Sequence, residues 1–403
     1  MAIAAAVMLM VVRSFRFLVA ALAGLALAFS VSGAARPLPP GFVLAGIPKP
    51  EEAPVALLVD LSSGQVLHAR NPDRRFMPAS VTKVMSLYLA FELIEQGKLD
   101  PAQVFVMTPE VARDWRRKGS TMFLDRGERV RVDDLLLGIA NVSANDGAAV
   151  LAAGQAGSIA GWTAKMNSTA RGLGMTGSYF GTPNGWPDEG RTFTTANDLV
   201  KLAQAMIARH PDRFGYYIGR EGFDYKGIIQ SNHDPMIGVV PGADGIKTGF
   251  TNESGYSYLG TAQRQGQRLV LVLAGVDTGR LRARLARDYV EWGFGAFDRR
   301  RLFDPETVIA GARVQNGDAR HVPLVARGAV TINLPRGSNA KLKANVRYDG
   351  PLRAPLPAGR QVAVLEVTGP GVTTAHIPLY TAEAVGEAGP IDRIVNAIAG
   401  VFS

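Results

Sequence analysis

Pro78-Ala79-Ser80-Val81-Thr82-Lys83-Val84-Met85 is the stretch on which the reading of this chain turns. The apolar residues Val81, Val84, Met85, Tyr88 and Phe91 recur in steps of three and four, which predicts a helix closed by Gly97. Ser80 then stands where the helix begins, where backbone N–H groups and the dipole favour negative charge. Lys83, three residues on, shares its face and is within its reach. A serine hydroxyl needs a base to become a nucleophile, and a buried lysine of depressed pKa is such a base. Alone the pattern is weak, since S-x-x-K is expected by chance on the order of once in a chain this long. Ser338-Asn339-Ala340-Lys341 also matches, but it follows Pro335-Arg336-Gly337 between strands, with no helix to align it, and is rejected as catalytic.

Two further patterns stand downstream. Ser143-Ala144-Asn145 is the only S-x-N in the chain and falls between the helical run Val132–Asn141 and the small-residue run Gly147–Ala153. A loop there presents Ser143 and Asn145 to a cleft, although taken singly Ser143 reads as a helix cap. Lys247-Thr248-Gly249 lies on the first strand of a meander, Gly245–Thr248, Tyr256–Ala262 and Leu269–Ala274, turned at Asn252–Gly255 and Arg264–Gly266. An edge strand pairs an extended peptide as an added strand, and Gly249 leaves its surface open for close approach. Lys247 brings positive charge for a carboxylate and helps keep Lys83 deprotonated; taken singly, it is a solvated strand lysine.

Around these motifs, Ala56–Asp60 and Gln65–Ala69 read as strands about the turn Leu61–Gly64, and helical segments run from Val132 to about Ala208. Strands, then helices, then strands in one unit over 45–300 predict a mixed sheet faced by helices, an α+β arrangement. Val322–Leu324, Val330–Leu334, Leu342–Val346, Val362–Val367 and Thr374–Tyr380 are short strands between Gly/Pro turns, a small all-β domain over 301–380. In 381–403, Ala382–Gly389 reads as a linker. After Pro390, Ile391, Ile394, Val395, Ile398 and Phe402 share one face of an amphipathic helix too short to span a bilayer and suited to its surface. Packing of that face onto the β domain would leave it no membrane role.

Residues 1–35 read as a signal peptide: Arg13 and Arg16, an apolar run from Phe17 to about Val31, then Ser32-Gly33-Ala34-Ala35 before Arg36-Pro37. An uncleaved anchor is the alternative, and the apolar start leaves Met8 or Met10 as possible first residues. Removing this segment takes two arginines and no acids from a net charge of +9, leaving +7. The basic residues are dispersed, with no Lys/Arg block interleaved with aromatics, so an anionic wall or lipid suits the charge better than nucleic acid. The chain has no cysteine, which excludes thiol catalysis, cysteine-ligated metals and disulfides. His68, His210, His233, His321 and His376 lack ligand spacing, so no metal site or cofactor is expected. No G-x-S-x-G elbow places a Ser-His-Asp hydrolase.

S-x-x-K at a helix start, S-x-N between helices and K-T-G on a strand, in this order, form one signature set. With it the chain resembles the low-molecular-mass penicillin-binding proteins, the D-alanyl-D-alanine carboxypeptidases of the penicillin-binding protein 5 type. The likeness extends to Leu57-Leu58-Val59-Asp60, Ser63-Gly64, Asn145-Asp146, Asp244-Gly245-Ile246, Ser254-Gly255-Tyr256 and Glu291-Trp292-Gly293-Phe294, and to the β domain and terminal segment. It implies a β-lactamase/transpeptidase-like domain, an antiparallel sheet flanked by helices, before the β domain. Ser80 would attack the carbonyl between the terminal D-alanines of a peptidoglycan stem peptide, forming an acyl-enzyme, and would bind β-lactams covalently. Lys83 would take its proton and later activate water, Ser143 would relay a proton to the leaving amine, and Asn145 would bind a substrate amide. Lys247 and Thr248 of the Lys247-Thr248-Gly249 strand would hold the terminal carboxylate, with Arg282 matching a family arginine associated with it. Backbone N–H groups of Ser80 and Phe250 would form the oxyanion hole. The enzyme would sit on the periplasmic side of the cytoplasmic membrane, held by its last helix.

Ala144 stands where this subfamily has glycine, a change that bears on loop geometry. Phe250 stands at a variable position where only the backbone serves. A class A β-lactamase would deacylate with a glutamate-bearing loop, but between Asn145 and Lys247 the glutamates are Glu189 and Glu221, neither in an E-x-x-L-N context. A D,D-endopeptidase of the same family stays open, since the motifs do not specify substrate geometry. A wall-binding protein with a vestigial site is disfavoured, because every motif residue is present.

Overall fold

Val55–Asp60 is buried at every residue, and its side chains alternate between two separate cores. Val55, Leu57 and Val59 face one and Ala56 and Leu58 the other, so the strand shows an unbroken apolar run in place of a period-two pattern. The same split divides Val270, Val272 and Ala274 from Leu269, Leu271 and Leu273 on Gln267–Val276, the strand paired with it. A computed structural model describes residues 50–389 of the chain; the leader 1–35 and the segment from Pro390 onward lie outside the described residues.

The five-stranded sheet runs in the order Gln65–Arg70, Val55–Asp60, Gln267–Val276, Gly255–Arg264, Ala243–Thr251. Each pairing is antiparallel, so the mixed sheet expected from the element order is corrected to an antiparallel one. Gly279–Gly295 covers one face, and the other carries the helical layer of Lys83–Glu95, Val132–Asn141, Asn145–Ala156, Ile159–Gly172 and Ala196–Arg209. Ser158, Thr195 and Thr278 start three of these helices by accepting the N–H three residues on. Lys83–Glu95 is buried almost all round, as befits a helix at the centre of its layer.

The β domain begins earlier and ends later than its sequence texture implied. Phe297–Phe303 pairs with Val330–Pro335 ahead of the expected boundary at 301. This strand, with Asp298, Arg299, Arg300 and Arg301 side by side, has no alternation to betray it. Val308–Gln315 is a second strand that the sequence did not disclose, in a six-stranded sheet ordered Lys343–Arg347, Gln361–Gly369, Val372–Thr381, His321–Val325, Val308–Gln315, Leu352–Arg353. Ala382–Gly389 is no free linker. Val385 bridges to Leu356, Glu387 bridges to Gly317, and the Ala388 N–H donates to the Asn316 carbonyl at 2.9 Å.

The two domains meet on a buried polar seam. The Asn333 side-chain amide donates to Asp60 Oδ2 at 2.6 Å and Ser63 Oγ at 3.0 Å, while the Asn333 backbone N–H donates to Gln65 Oε1 at 2.6 Å. Gln65 Nε2 donates across to the carbonyls of Asn333 and Thr373, and Gln267 Nε2 donates to Asp60 Oδ2 at 3.1 Å. Gly64, at φ +68°, allows the contact: a Cβ there would lie 2.5 Å from the His376 carbonyl oxygen. Removing one partner strands the rest without water. We therefore expect Asn333→Ala to cost about 2–3 kcal/mol, read as a lowered denaturant midpoint with loss of a single concerted transition.

Candidate active site

Ser80 lies on a single 3-10 turn, Ala79–Thr82, and the α-helix proper starts at Lys83. Ser80 thus stands at the helix start, on a 3-10 first turn, which explains the pairing better. In a 3-10 turn residues three apart eclipse one another, and Lys83 Nζ is 2.9 Å from Ser80 Oγ. The lysine is fully buried. It donates to Asn145 Oδ1 at 2.7 Å and to the Asn184 carbonyl at 2.9 Å. The Asn145 amide is fixed in orientation, because its Nδ2 donates to the Lys118 carbonyl at 2.9 Å. Both carbonyl partners can only accept, so a neutral amine spends its two N–H bonds on them and turns its lone pair to the Ser80 hydroxyl. Burial, joined by the charge of Lys247 and opposed by that of Asp146, holds Lys83 well below the usual lysine range.

Ser143 sits in the left-handed region, φ +60°, between two helices, and its buried hydroxyl has no hydrogen-bond partner among the described residues. Asn145 is the first residue of Asn145–Ala156 and not a loop residue. Ala144 has φ −56°, a value any residue adopts, and its methyl is buried in the core, so this position needs no glycine. Asp146 secures the site from below: its carboxylate accepts the N–H groups of Met122 and Leu124 at 3.0 Å each.

Opposite stands the edge strand Ala243–Thr251, as the meander predicted. A Cβ on Gly249 would lie 2.5 Å from the Pro78 carbonyl oxygen, so the strand passes close to the residues before Ser80. Lys247 is buried and donates to the Thr248 carbonyl at 3.1 Å; burial first, then the nearby Arg282 charge, lower it to about 7. Thr248 is buried beside it. The Phe250 ring is half exposed and stacks on Tyr256 with centroids 4.3 Å apart, and the Arg282 guanidinium lies 5.6 Å from the centre of the Tyr256 ring. Arg282 Nε is buried without a partner among the described residues. The structure thus brings Ser80 and Asn145 into contact with Lys83, and sets Lys247, Thr248 and Phe250 on the facing strand, with Arg282 of the helix Gly279–Gly295 beside Tyr256. Glu189 and Glu221 are both exposed, and neither bonds to this cluster.

Sequence reasoning missed Asn184 and Gly185. Asn184 supplies the second carbonyl to Lys83, and Gly185, at φ +75°, lets that loop press on the Ser80 turn, where a Cβ would collide with the Ala79 carbonyl. Pro183-Asn184-Gly185 is a turn signal, but nothing in it says what the turn touches. Gly185→Ala should displace the turn holding Ser80 and slow acylation by a fluorescent penicillin on the order of a hundredfold, with the circular dichroism of the wild type retained.

Comparison with known proteins agrees with this geometry. Residues 47–278 match the family described as D-alanyl-D-alanine carboxypeptidase, and 297–387 match the penicillin-binding protein 5 C-terminal domain. The chain is 32% identical to D-alanyl-D-alanine carboxypeptidase DacC of Escherichia coli, over 84% of this chain and 85% of that one. With carboxypeptidase DacA of Haemophilus influenzae it shares 30% identity over 89% and 93% of the two chains. Among solved structures, penicillin-binding protein 5 from Haemophilus influenzae superposes with a TM-score of 0.71 at 30% identity, covering 85% of this chain and all of that one. Penicillin-binding protein D2 from Listeria monocytogenes in its ampicillin-bound form gives 0.55 at 27% identity, over 60% and 97%. The chain belongs to the D-alanyl-D-alanine carboxypeptidase family of serine peptidases, as a low-molecular-mass penicillin-binding protein of the penicillin-binding protein 5 type.

Proposed function

We propose that this serine D-alanyl-D-alanine carboxypeptidase acts through an acyl-enzyme on Ser80, with Lys83 as the base. The observation that carries the assignment is the buried Lys83 nitrogen, 2.9 Å from the Ser80 hydroxyl and flanked by the carbonyl oxygens of Asn145 and Asn184 at 2.7 and 2.9 Å. As Ser80 Oγ bonds to the penultimate D-alanine carbonyl carbon, its proton passes to Lys83 Nζ. That proton reaches the departing D-alanine amine by way of Ser143, whose unpartnered hydroxyl is free to relay it. Water then loses a proton to Lys83 as its oxygen bonds to the acyl carbon, and Lys83 returns that proton to Ser80 Oγ as the ester bond breaks and the shortened stem peptide leaves. The N–H groups of Ser80 and Phe250 bind the oxyanion, Asn145 binds a substrate amide, and the substrate lies along the edge strand beside Gly249. Lys247, Thr248 and Arg282 hold the terminal carboxylate. Covalent β-lactam binding follows from the same acylation.

Export and membrane attachment belong to the same proposal. The leader 1–35 supports passage to the periplasmic side, and the apolar residues Ile391, Ile394, Val395, Ile398 and Phe402 support peripheral attachment there. No described helix is long and apolar enough to cross a membrane.

Lys83→Arg tests the base. A guanidinium is not deprotonated in a protein, so keeping the charge does not keep the function. Acylation by fluorescent penicillin should fall by roughly two orders of magnitude or more, nearly to the Ser80→Ala blank; a near-normal rate would make the lysine purely electrostatic. For attachment, the chain cut after Gly389 keeps every described β-domain contact. It should move to the soluble fraction, and continued sedimentation with membranes would overturn the anchor.

A further inference from the structure

Four basic groups share the carboxylate end of the cleft. Lys247 feels the charge of Arg282, Lys83 feels that of Lys247, and His233, exposed at the rim, is lowered by partial burial and then by Lys247, Arg282 and Lys83. The anions that could balance them are few. Asp146 is engaged below Lys83 by backbone N–H groups, and Asp244, on the edge strand itself, is paired with Arg268 at 2.8 Å.

Asp234 is placed differently. It belongs to the segment joining the hairpin strand Ile228–Ser231 to the edge strand. Both its oxygens accept the hydroxyl of the fully buried Tyr258 at 3.0 Å, and Oδ1 also accepts the Met236 N–H at 2.8 Å. Burial pushes its pKa up, while the Met236 N–H, the Tyr258 hydroxyl, the Ile237 N–H and the charge of Lys247 pull it back toward the ionised form, and it accepts in every one of these bonds, the pattern of a carboxylate. Tyr258 stands opposite Thr248 in the strand register, and its hydroxyl also approaches the Gly245 carbonyl at 3.4 Å, two residues before Lys247. The carboxylate is thereby tethered to the strand that carries Lys247, and its charge raises the pKa of both Lys247 and Arg282 against their burial.

We infer that Asp234 is a positioning residue that keeps Lys247 cationic for a carboxylate-ended substrate, by fixing a negative charge beside it on the Tyr258 hydroxyl. The inference rests on the proposed role of Lys247 in holding that carboxylate.

The test is the pH dependence of KM for a D-alanyl-D-alanine peptide. In the wild type, KM should climb as pH rises through the titration of Lys247. Asp234→Asn keeps the acceptor for Tyr258 and Met236 and removes only the charge, so Lys247 releases its proton earlier. The rising limb should move about one unit lower, with KM about tenfold higher near pH 7.5 and close to wild type near pH 5.5. Asp234→Ser, smaller and also uncharged, should displace the limb the same way. Tyr258→Phe, which removes the hydroxyl that favours the ionised carboxylate against its burial, should displace the limb in the same direction. A limb unmoved in both Asp234 variants, or KM raised by one factor throughout, would make the residue merely structural and overturn the inference. A peptide ending in an amide separates the two layers: if amidation leaves wild-type KM unchanged, the carboxylate reading of Lys247 fails, whatever the Asp234 variants do.

Discussion

A lysine placed where water does not reach is the constraint from which the rest of the catalytic half follows. An ammonium at that depth is costly, and burial with the nearby Lys247 charge drives the group toward its neutral form. Neutrality is useful only if the lone pair has one direction to point. Asn145 and Asn184 enforce that direction by occupying both N–H bonds. Each must therefore be held in turn: Asn145 by the Lys118 carbonyl and the Ser120 carbonyl, Asn184 by a glycine turn pressed on the Ala79 backbone. The central helix, the helix after Ser143 and the loop at Pro183 thus meet at one nitrogen.

Much of this was legible because each motif is contiguous and sits on an element with a strong local signal. Ser80 and Lys83 are three apart, and Lys247-Thr248-Gly249 lies in a strand bounded by glycines. The central strands, the meander and the position of its edge could be read from apolar runs and turns. The contribution of Asn184 could not, since it acts through a backbone carbonyl 101 residues from its partner, and a carbonyl carries no residue signature. Asp234 was hidden for a related reason: its effect passes through space and through a tyrosine on another strand. Phe297–Phe303 was hidden because its charges point to solvent on a sheet edge, where alternation has no core to report.

The seam between the domains obeys the logic of the site in a second place. Asp60, Ser63, Gln65, Gln267 and Asn333 are all buried and all satisfied by one another. Apolar surfaces slide; a closed set of donors and acceptors fits in one arrangement, since any shift leaves a polar group without a partner. The β domain is therefore fixed in orientation on the turn that follows the first strand, and the Asp60 carboxylate sits at the end of a strand that is otherwise core.

The edge strand Ala243–Thr251 has a consequence for how the protein behaves in a crowd. An open strand edge is ordinarily a hazard, because a second sheet can join it and begin a fibre, and many proteins blunt such edges with proline or a kink. A substrate-binding edge has no such freedom if it is to accept an added strand. Here the protection comes from enclosure: Gly245 to Gly249 are buried although they end the sheet, with Pro78 and Ala79 pressed against Gly249, and only the Phe250 ring stands out. An edge walled in this way is hard for a second sheet to reach.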